Sequence, residues 1–258
     1  MSKPGFRGRC MFCNEPIPVS DPLEHILPKW LRNFRPKGML LVHEPGVEVQ
    51  GDCIKRFGSH TFRAKGPEIT TNKVCKECNQ GWMSDLEAQA SPLLTPLIKG
   101  ETANLIVDDQ TFISKWATKT MLMCQLPNPN DQIIPISDYH DFFYDKAASK
   151  FSELFLACYR GSKLEFIRCT QMHLDKPDTP PGIIPDGYRF VLIIGCFVLE
   201  VAGSCNEELL GPTFPGMLGD ALVEIWPATV DRSWPPRIVL DDVSILLFLG
   251  MPPGVEIP

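Results

Sequence analysis

The chain has 258 residues, of which 44% are hydrophobic and 22% charged, as in a globular protein with a packed core. Its most apolar run, Phe190 to Leu199, is too short for a membrane span, which needs about 20 residues. Residues 1–100 hold 14 Lys and Arg against 10 Asp and Glu, a net charge of +4, whereas residues 101–258 hold 11 against 21, a net charge of −10. We therefore expect any site for a polyanion in the first part.

The first hundred residues predict a small unit of turns, short strands and a helix. A Cys-x-x-Cys turn near residue 10 is followed by alternating stretches typical of short strands between residues 40 and 72. A second Cys-x-x-Cys turn then leads into helical composition over Asn79 to Ile98, where Pro92 and Pro96 argue against one unbroken helix. We assign residues 1–100 to a first domain and residues 101–258 to a second.

The second part predicts helices followed by strands. One helix is expected from a cap at Asp108 or Asp109 to Pro127, and a shorter one over Asp138 to Ala148. The strands are expected at Leu154–Tyr159 and Leu164–Thr170, paired as a hairpin, then one or two within Tyr188–Val201, and further strands at Ala221–Trp226 and Ser244–Leu249. The fold class is therefore predicted to be α+β with a mostly antiparallel sheet.

Four of the ten cysteines form two pairs with the spacing of metal ligands, Cys10 with Cys13 and Cys75 with Cys78. Four thiolates complete the tetrahedral shell of Zn²⁺ and leave no open position, so such a site is structural. Buried free cysteines and redox pairs are the alternatives. The other six cysteines show no ligand spacing, and we expect them to be buried apolar residues.

Glu24 and His25 lie between the two cysteine pairs, and Asn79 follows the second pair directly. Carboxylate and amide oxygens suit a hard divalent cation such as Mg²⁺, and histidine titrates near neutral pH, as a general base should. Neighbouring residues of a strand point to opposite sides, so Glu24 can hold a metal while His25 holds a water molecule.

This order of motifs in residues 10–87 resembles the HNH endonucleases, in the branch whose ββα-metal motif is stapled by a four-cysteine zinc. The resemblance implies that Glu24 and Asn79 bind the catalytic divalent ion, that His25 is the general base, and that nucleic acid is the substrate, most simply DNA. Glu87 falls near the family's last His or Asn, so the resemblance makes it a further candidate catalytic residue. The sequence departs from the pattern there, and a surface carboxylate without a catalytic role is the alternative for Glu87. The C-terminal half resembles no family.

The sequence therefore predicts an HNH-type phosphodiester hydrolase with a structural Zn²⁺ and a catalytic Mg²⁺ or similar ion. A zinc-knuckle module that binds nucleic acid or protein without cleaving it is the alternative. We further propose from the charge asymmetry that the acidic half masks the basic face. The N-terminal residues lack the apolar segment of a secretory signal, so we expect a cytoplasmic protein without membrane contacts.

Overall fold

The computed structural model describes residues 5–34, 38–50, 53–56, 60–64, 68–127, 134–162, 167–175, 187–204 and 219–249. The helices are α1 (Lys76–Cys78), α2 (Ser84–Lys99), α3 (Val107–Gln125), α4 (Ile136–Asp145) and α5 (Ser244–Phe248), with a π-helical segment at Asn79–Met83 and 3₁₀ turns at Lys29–Phe34 and Gly219–Ala221. The strands are β1 (Phe6–Arg9), β2 (Pro16–Pro18), β3 (Glu24–His25), β4 (Met39–Gln50), β5 (Cys53–Arg56), β6 (His60–Ala64), β7 (Thr70–Thr71), β8 (Ala103–Leu105), β9 (Ser152–Cys158), β10 (Ile167–Asp175), β11 (Gly187–Ile194), β12 (Phe197–Ser204), β13 (Val223–Trp226) and β14 (Arg232–Trp234).

Eight strands form a central sheet in the order β13-β9-β12-β11-β10-β4-β5, and β6 also pairs with β4. Neighbouring strands are antiparallel except for β4 and β10, which run parallel. The prediction of mixed helices and a mostly antiparallel sheet is therefore confirmed. Because β4 to β6 come from the first hundred residues, both sides of the expected boundary at residue 100 contribute to one sheet. The division into two domains stays a prediction.

Side-chain alternation along the buried strands divides the core into two layers. On β9, Leu154 and Leu156 belong to the larger layer, which also holds α2, α3 and the N-terminal cysteines. Ala157 points the other way, into a smaller layer that includes Ile245 and Phe248 of α5. Strands β11 and β12 are buried along almost their whole length because both faces of the sheet are covered.

Two strand predictions were wrong, for reasons beyond local sequence. The expected hairpin of Leu154–Tyr159 with Leu164–Thr170 does not form, since β9 pairs with β12 and β13, and β10 pairs with β11 and β4. The apolar run Ser244–Leu249 is a helix through Phe248 that packs on the smaller layer. A short apolar run fits a buried helix and a buried strand equally well.

The predicted helices agree with the structure better than the predicted strands do. Helix α2 continues through both Pro92 and Pro96, because its buried leucines hold it against the core despite the lost amide donors. Helix α3 begins one residue before the expected cap, and Ile106 is its N-cap residue. Asp109 still serves this end, since its carboxylate accepts a hydrogen bond from the Ile106 amide at 3.3 Å. No helix in the described ranges is long and apolar enough to cross a membrane.

Candidate metal centre and active site

The four predicted zinc ligands lie together in the structure. The sulfur atoms of Cys10, Cys13, Cys75 and Cys78 all lie within 4.8 Å of one another. The sulfurs of Cys13 and Cys75 are 3.6 Å apart, close to the edge of about 3.8 Å that a tetrahedron of Zn–S bonds of about 2.3 Å would have. Three of the cysteines are buried and Cys13 is half-buried. This donor set fits a divalent ion such as zinc and leaves no ligand position open to water.

The two Cys-x-x-Cys segments reach this cluster by different local structures. The first is a tight turn that ends at Asn14 in the left-handed conformation (φ 60°), and the Asn14 amide donates to the Cys10 carbonyl at 3.0 Å. The second is the first turn of a helix, with Cys75 as its N-cap. The amide of Cys78 donates to the Cys75 sulfur and that of Cys75 to the Cys10 sulfur, each at 3.4 Å. These amides stabilise negative charge on the sulfurs.

The thiols of the cluster differ in how easily they ionise. A hydrogen bond from Cys78 lowers the pKa of Cys10 to about 4. Burial raises the pKa of Cys75 to about 12, and the pKa of Cys78 is raised by its hydrogen bond to Cys10 and by burial. Once one thiolate has formed, further ionisation is opposed by repulsion and desolvation. A bound cation would remove that opposition, and the four sulfurs lie close enough together to hold one.

Glu24 and His25 form the short strand β3, which pairs with β7. Glu24 lies opposite Thr71 and His25 opposite Thr70. The chain then returns to the metal centre within a few residues, where the Met11 amide donates to the Lys73 carbonyl at 2.9 Å. The β3–β7 pair is thus attached to both cysteine turns, just before the helical segment that begins at Lys76.

The charge states of the two residues on β3 are set mainly by burial. Burial raises the pKa of Glu24, Lys119 opposes this change and Glu87 adds to it. Burial also lowers the pKa of His25, and the cations Lys29 and Arg32 lower it further. The imidazole is therefore more completely neutral at neutral pH than a free histidine, and a neutral imidazole is what a general base requires.

Asn79 directly follows the last cysteine and is half-buried. Its amide donates to the Cys75 carbonyl at 3.1 Å, which fixes its backbone to the metal centre. Its side chain makes no hydrogen bond within the described part of the chain, so its amide oxygen is free to bind a ligand. The roles of Glu24, His25 and Asn79 stay predictions.

Glu87 lies at the centre of a buried network. Its Oε2 accepts hydrogen bonds from the indole nitrogens of Trp30 at 3.0 Å and Trp116 at 2.9 Å, and its Oε1 accepts one from Lys119 Nζ at 2.6 Å. The Lys119 side chain is 1% exposed and the Glu87 side chain 15%. Both oxygens are therefore already bound to protein donors, and this arrangement accounts for a carboxylate here without a catalytic role.

Sequence reasoning did not identify Lys119 and Lys146 as neighbours of the site. Lys119 lies on α3, where nearly every side chain from Ile113 to Gln125 is buried. A buried lysine requires a buried partner. The segment also contains serine, threonine and a second lysine, so its sequence did not indicate that the whole helix is buried. No sequence pattern marked either lysine.

Comparisons with known proteins give no family assignment. No protein-family model matches the chain, and no curated protein or solved structure matches it. The four-cysteine metal site is supported by the structure alone.

Proposed function

We propose that the protein is a metal-dependent nuclease of HNH type that hydrolyses phosphodiester bonds, with DNA as the substrate. The main supporting observation is the position of Glu24 and His25 on a two-stranded pair that is tied to the four-cysteine cluster and precedes the helical segment from Lys76 to Met83, which contains Asn79. A strand pair and a helix held together by zinc are the parts that a ββα-metal site requires.

In this proposal the two residues of β3 have different tasks. His25 accepts a proton from a water molecule as the water oxygen attacks phosphorus. The bond from phosphorus to the leaving deoxyribose oxygen breaks, and that oxygen takes a proton from solvent. Glu24 and Asn79 would hold a Mg²⁺-class ion, which supplies positive charge for the phosphate and the leaving oxygen. The four cysteines would hold Zn²⁺, and this ion would fix the position of the strand pair relative to the helix.

The charges near His25 favour an anionic substrate. Lys29 and Arg32 are both exposed, follow His25 by four and seven residues, and both lower its pKa. Arg32 also pairs with Glu68 at 2.8 Å, and both side chains are about half exposed. These cations can contact phosphates without reading base sequence.

A binding module without catalysis is the second candidate, and the network around Glu87 favours it. The position near the family's last His or Asn offers no free ligand here, because both oxygens of Glu87 are occupied. Such a module would use the same basic surface and the same zinc.

Supercoiled plasmid incubated with the zinc-loaded protein separates the two functions. We expect nicking in the presence of Mg²⁺, Mn²⁺ or Ni²⁺, and its loss in Glu24→Gln with zinc content unchanged. The matched control is Glu77→Gln, which removes an exposed carboxylate beside the cysteines. Binding of plasmid without nicking in all three metals would favour the binding module.

A further inference from the structure

A lysine from the second half of the chain lies beside the metal centre. Lys146 ends α4, and its ammonium lies over two aromatic rings, 3.9 Å from the centroid of Phe143 and 4.6 Å from that of Trp82. Trp82 follows Cys78 by four residues. We propose that Lys146 is the charge partner of the four-cysteine metal centre and that it slows the release of the bound ion. This inference rests on the metal site and does not depend on the nuclease activity.

The backbone at Lys146 is unusual for a lysine. It adopts the left-handed conformation (φ 51°, ψ 38°), and its amide donates to the Phe142 carbonyl at 2.9 Å as the helix ends. Glycine and asparagine are the residues that favour this conformation. Helix termination therefore does not favour a lysine at this position, whereas the contacts of its side chain do give a reason for one.

The aromatic residues around Lys146 connect it to both cysteine turns. Phe12, between Cys10 and Cys13, packs edge-on against Trp82 with ring centroids 5.5 Å apart. Phe12 also packs against Tyr139 of α4 at 5.4 Å, and Trp82 packs against Phe142 of the same helix at 5.8 Å. Helix α4 thus packs against aromatic residues beside both cysteine turns, and Lys146 directly follows its last residue.

The charge of a four-thiolate site explains why a cation belongs here. Four thiolates and one Zn²⁺ leave a net charge of −2 in a largely buried place, and a nearby ammonium reduces the cost of burying it. Burial lowers the pKa of Lys146, and Cys78 opposes this change. The rings of Trp82 and Phe143 hold the ammonium in place by cation–π attraction.

The indole of Trp82 adds a second polar group to the same place. Its Nε1 is buried and has no hydrogen-bond partner among the described residues. An indole N–H is a donor, and a donor near a thiolate stabilises its negative charge. The ammonium of Lys146 and the indole of Trp82 therefore both lie beside the second cysteine turn as groups that favour negative charge.

The test is the rate at which the zinc-loaded full-length protein releases zinc to a chromogenic chelator. Lys146→Met removes the charge, Lys146→Arg keeps it, and Lys146→Asn removes it while easing the left-handed backbone. Lys150→Met is the matched control, since Lys150 is exposed and lies over Phe151 at 4.7 Å. We expect the Met and Asn variants of Lys146 to release zinc about 10-fold faster than wild type. Lys146→Arg and Lys150→Met should release it at the wild-type rate.

The Asn variant distinguishes an effect of the lost charge on zinc release from an effect of lost stability. A residue that favours the left-handed conformation should not destabilise the end of α4, so faster zinc release at an unchanged melting temperature supports the proposal. Release at the wild-type rate in both neutral variants would overturn it. Equally fast release in Lys146→Arg and Lys146→Met would overturn it as well, because the charge would then not matter. A purified protein without zinc would also contradict it.

Discussion

Lys119 of α3 donates to Glu87 of α2 at 2.6 Å, and the lysine side chain is 1% exposed. The same carboxylate accepts from Trp30, which lies five residues after His25, and from Trp116. One buried anion thus joins both long helices to the segment that follows β3. Because Glu87 and Lys119 both act on the pKa of Glu24, the network also sets the electrostatic surroundings of the candidate active site.

Replacing Glu87 should cost stability in a way that a double mutant reverses. Glu87→Gln leaves the Lys119 ammonium buried without its counter-charge, which should lower the free energy of unfolding by about 3 kcal/mol. The double variant Glu87→Gln with Lys119→Met removes both charges and should recover much of that loss. Urea unfolding of the zinc-loaded proteins measures both effects.

The double variant also tests the family-derived role of Glu87. If the carboxylate is structural, the folded double variant should retain most of any nicking activity. Complete loss of activity in a folded, zinc-loaded double variant would instead support a catalytic role. A single variant as stable as wild type would contradict the network as described.

Removing one ligand of the cysteine cluster should release the metal. Cys75→Ser replaces a buried ligand that also caps α1, so we expect zinc content to fall from one ion per chain to well below that, with a lower melting temperature. Elemental analysis and thermal unfolding give both values. The control is Cys196→Ser, a half-buried cysteine outside the cluster. Equal zinc content in the two variants would argue against the four-cysteine site.

Zinc affinity should rise with pH. Binding displaces the protons of Cys75, whose pKa is raised to about 12, and of Cys78, whose pKa is also raised. Protons therefore compete with the metal at all pH values below those pKa values, and acidification weakens binding. Loss of at least two protons predicts a change of about 100-fold or more in apparent affinity per pH unit. Competition with a chelator of known affinity between about pH 6 and 8 measures it, and a pH-independent affinity would contradict the prediction.

The cations near His25 should contribute to DNA affinity through phosphate contacts. Arg32→Gln should weaken binding on every sequence alike and reduce the slope of log affinity against log salt by about 0.9. Lys99→Gln is the control, since Lys99 forms a similar exposed pair with Glu101 at 3.5 Å at the other end of α2. Fluorescence anisotropy at several salt concentrations measures both variants. Equal slopes for Arg32→Gln, Lys99→Gln and wild type would exclude Arg32 from the interface.

The sequence predicted the features that depend on local spacing. The two Cys-x-x-Cys pairs predicted the metal cluster because each pair places two thiols on one tight turn, where both can reach the same ion. Pairings between distant segments were not predictable in this way. Strand β9 finds its partners at Phe197–Ser204 and Val223–Trp226, far along the chain. The network of Glu87 likewise depends on Lys119, 32 residues away, which only the packing of α2 on α3 brings near.

The measurement that tests the proposed function most directly is the rate of plasmid nicking by His25→Ala. We expect the zinc-loaded variant to cleave about 10²- to 10⁴-fold more slowly than wild type in the metal that supports activity. His140→Ala, which alters a half-buried histidine on α4, should cleave at the wild-type rate. Equal rates for wild type and His25→Ala in every metal would contradict the proposal that His25 is the general base of a nuclease.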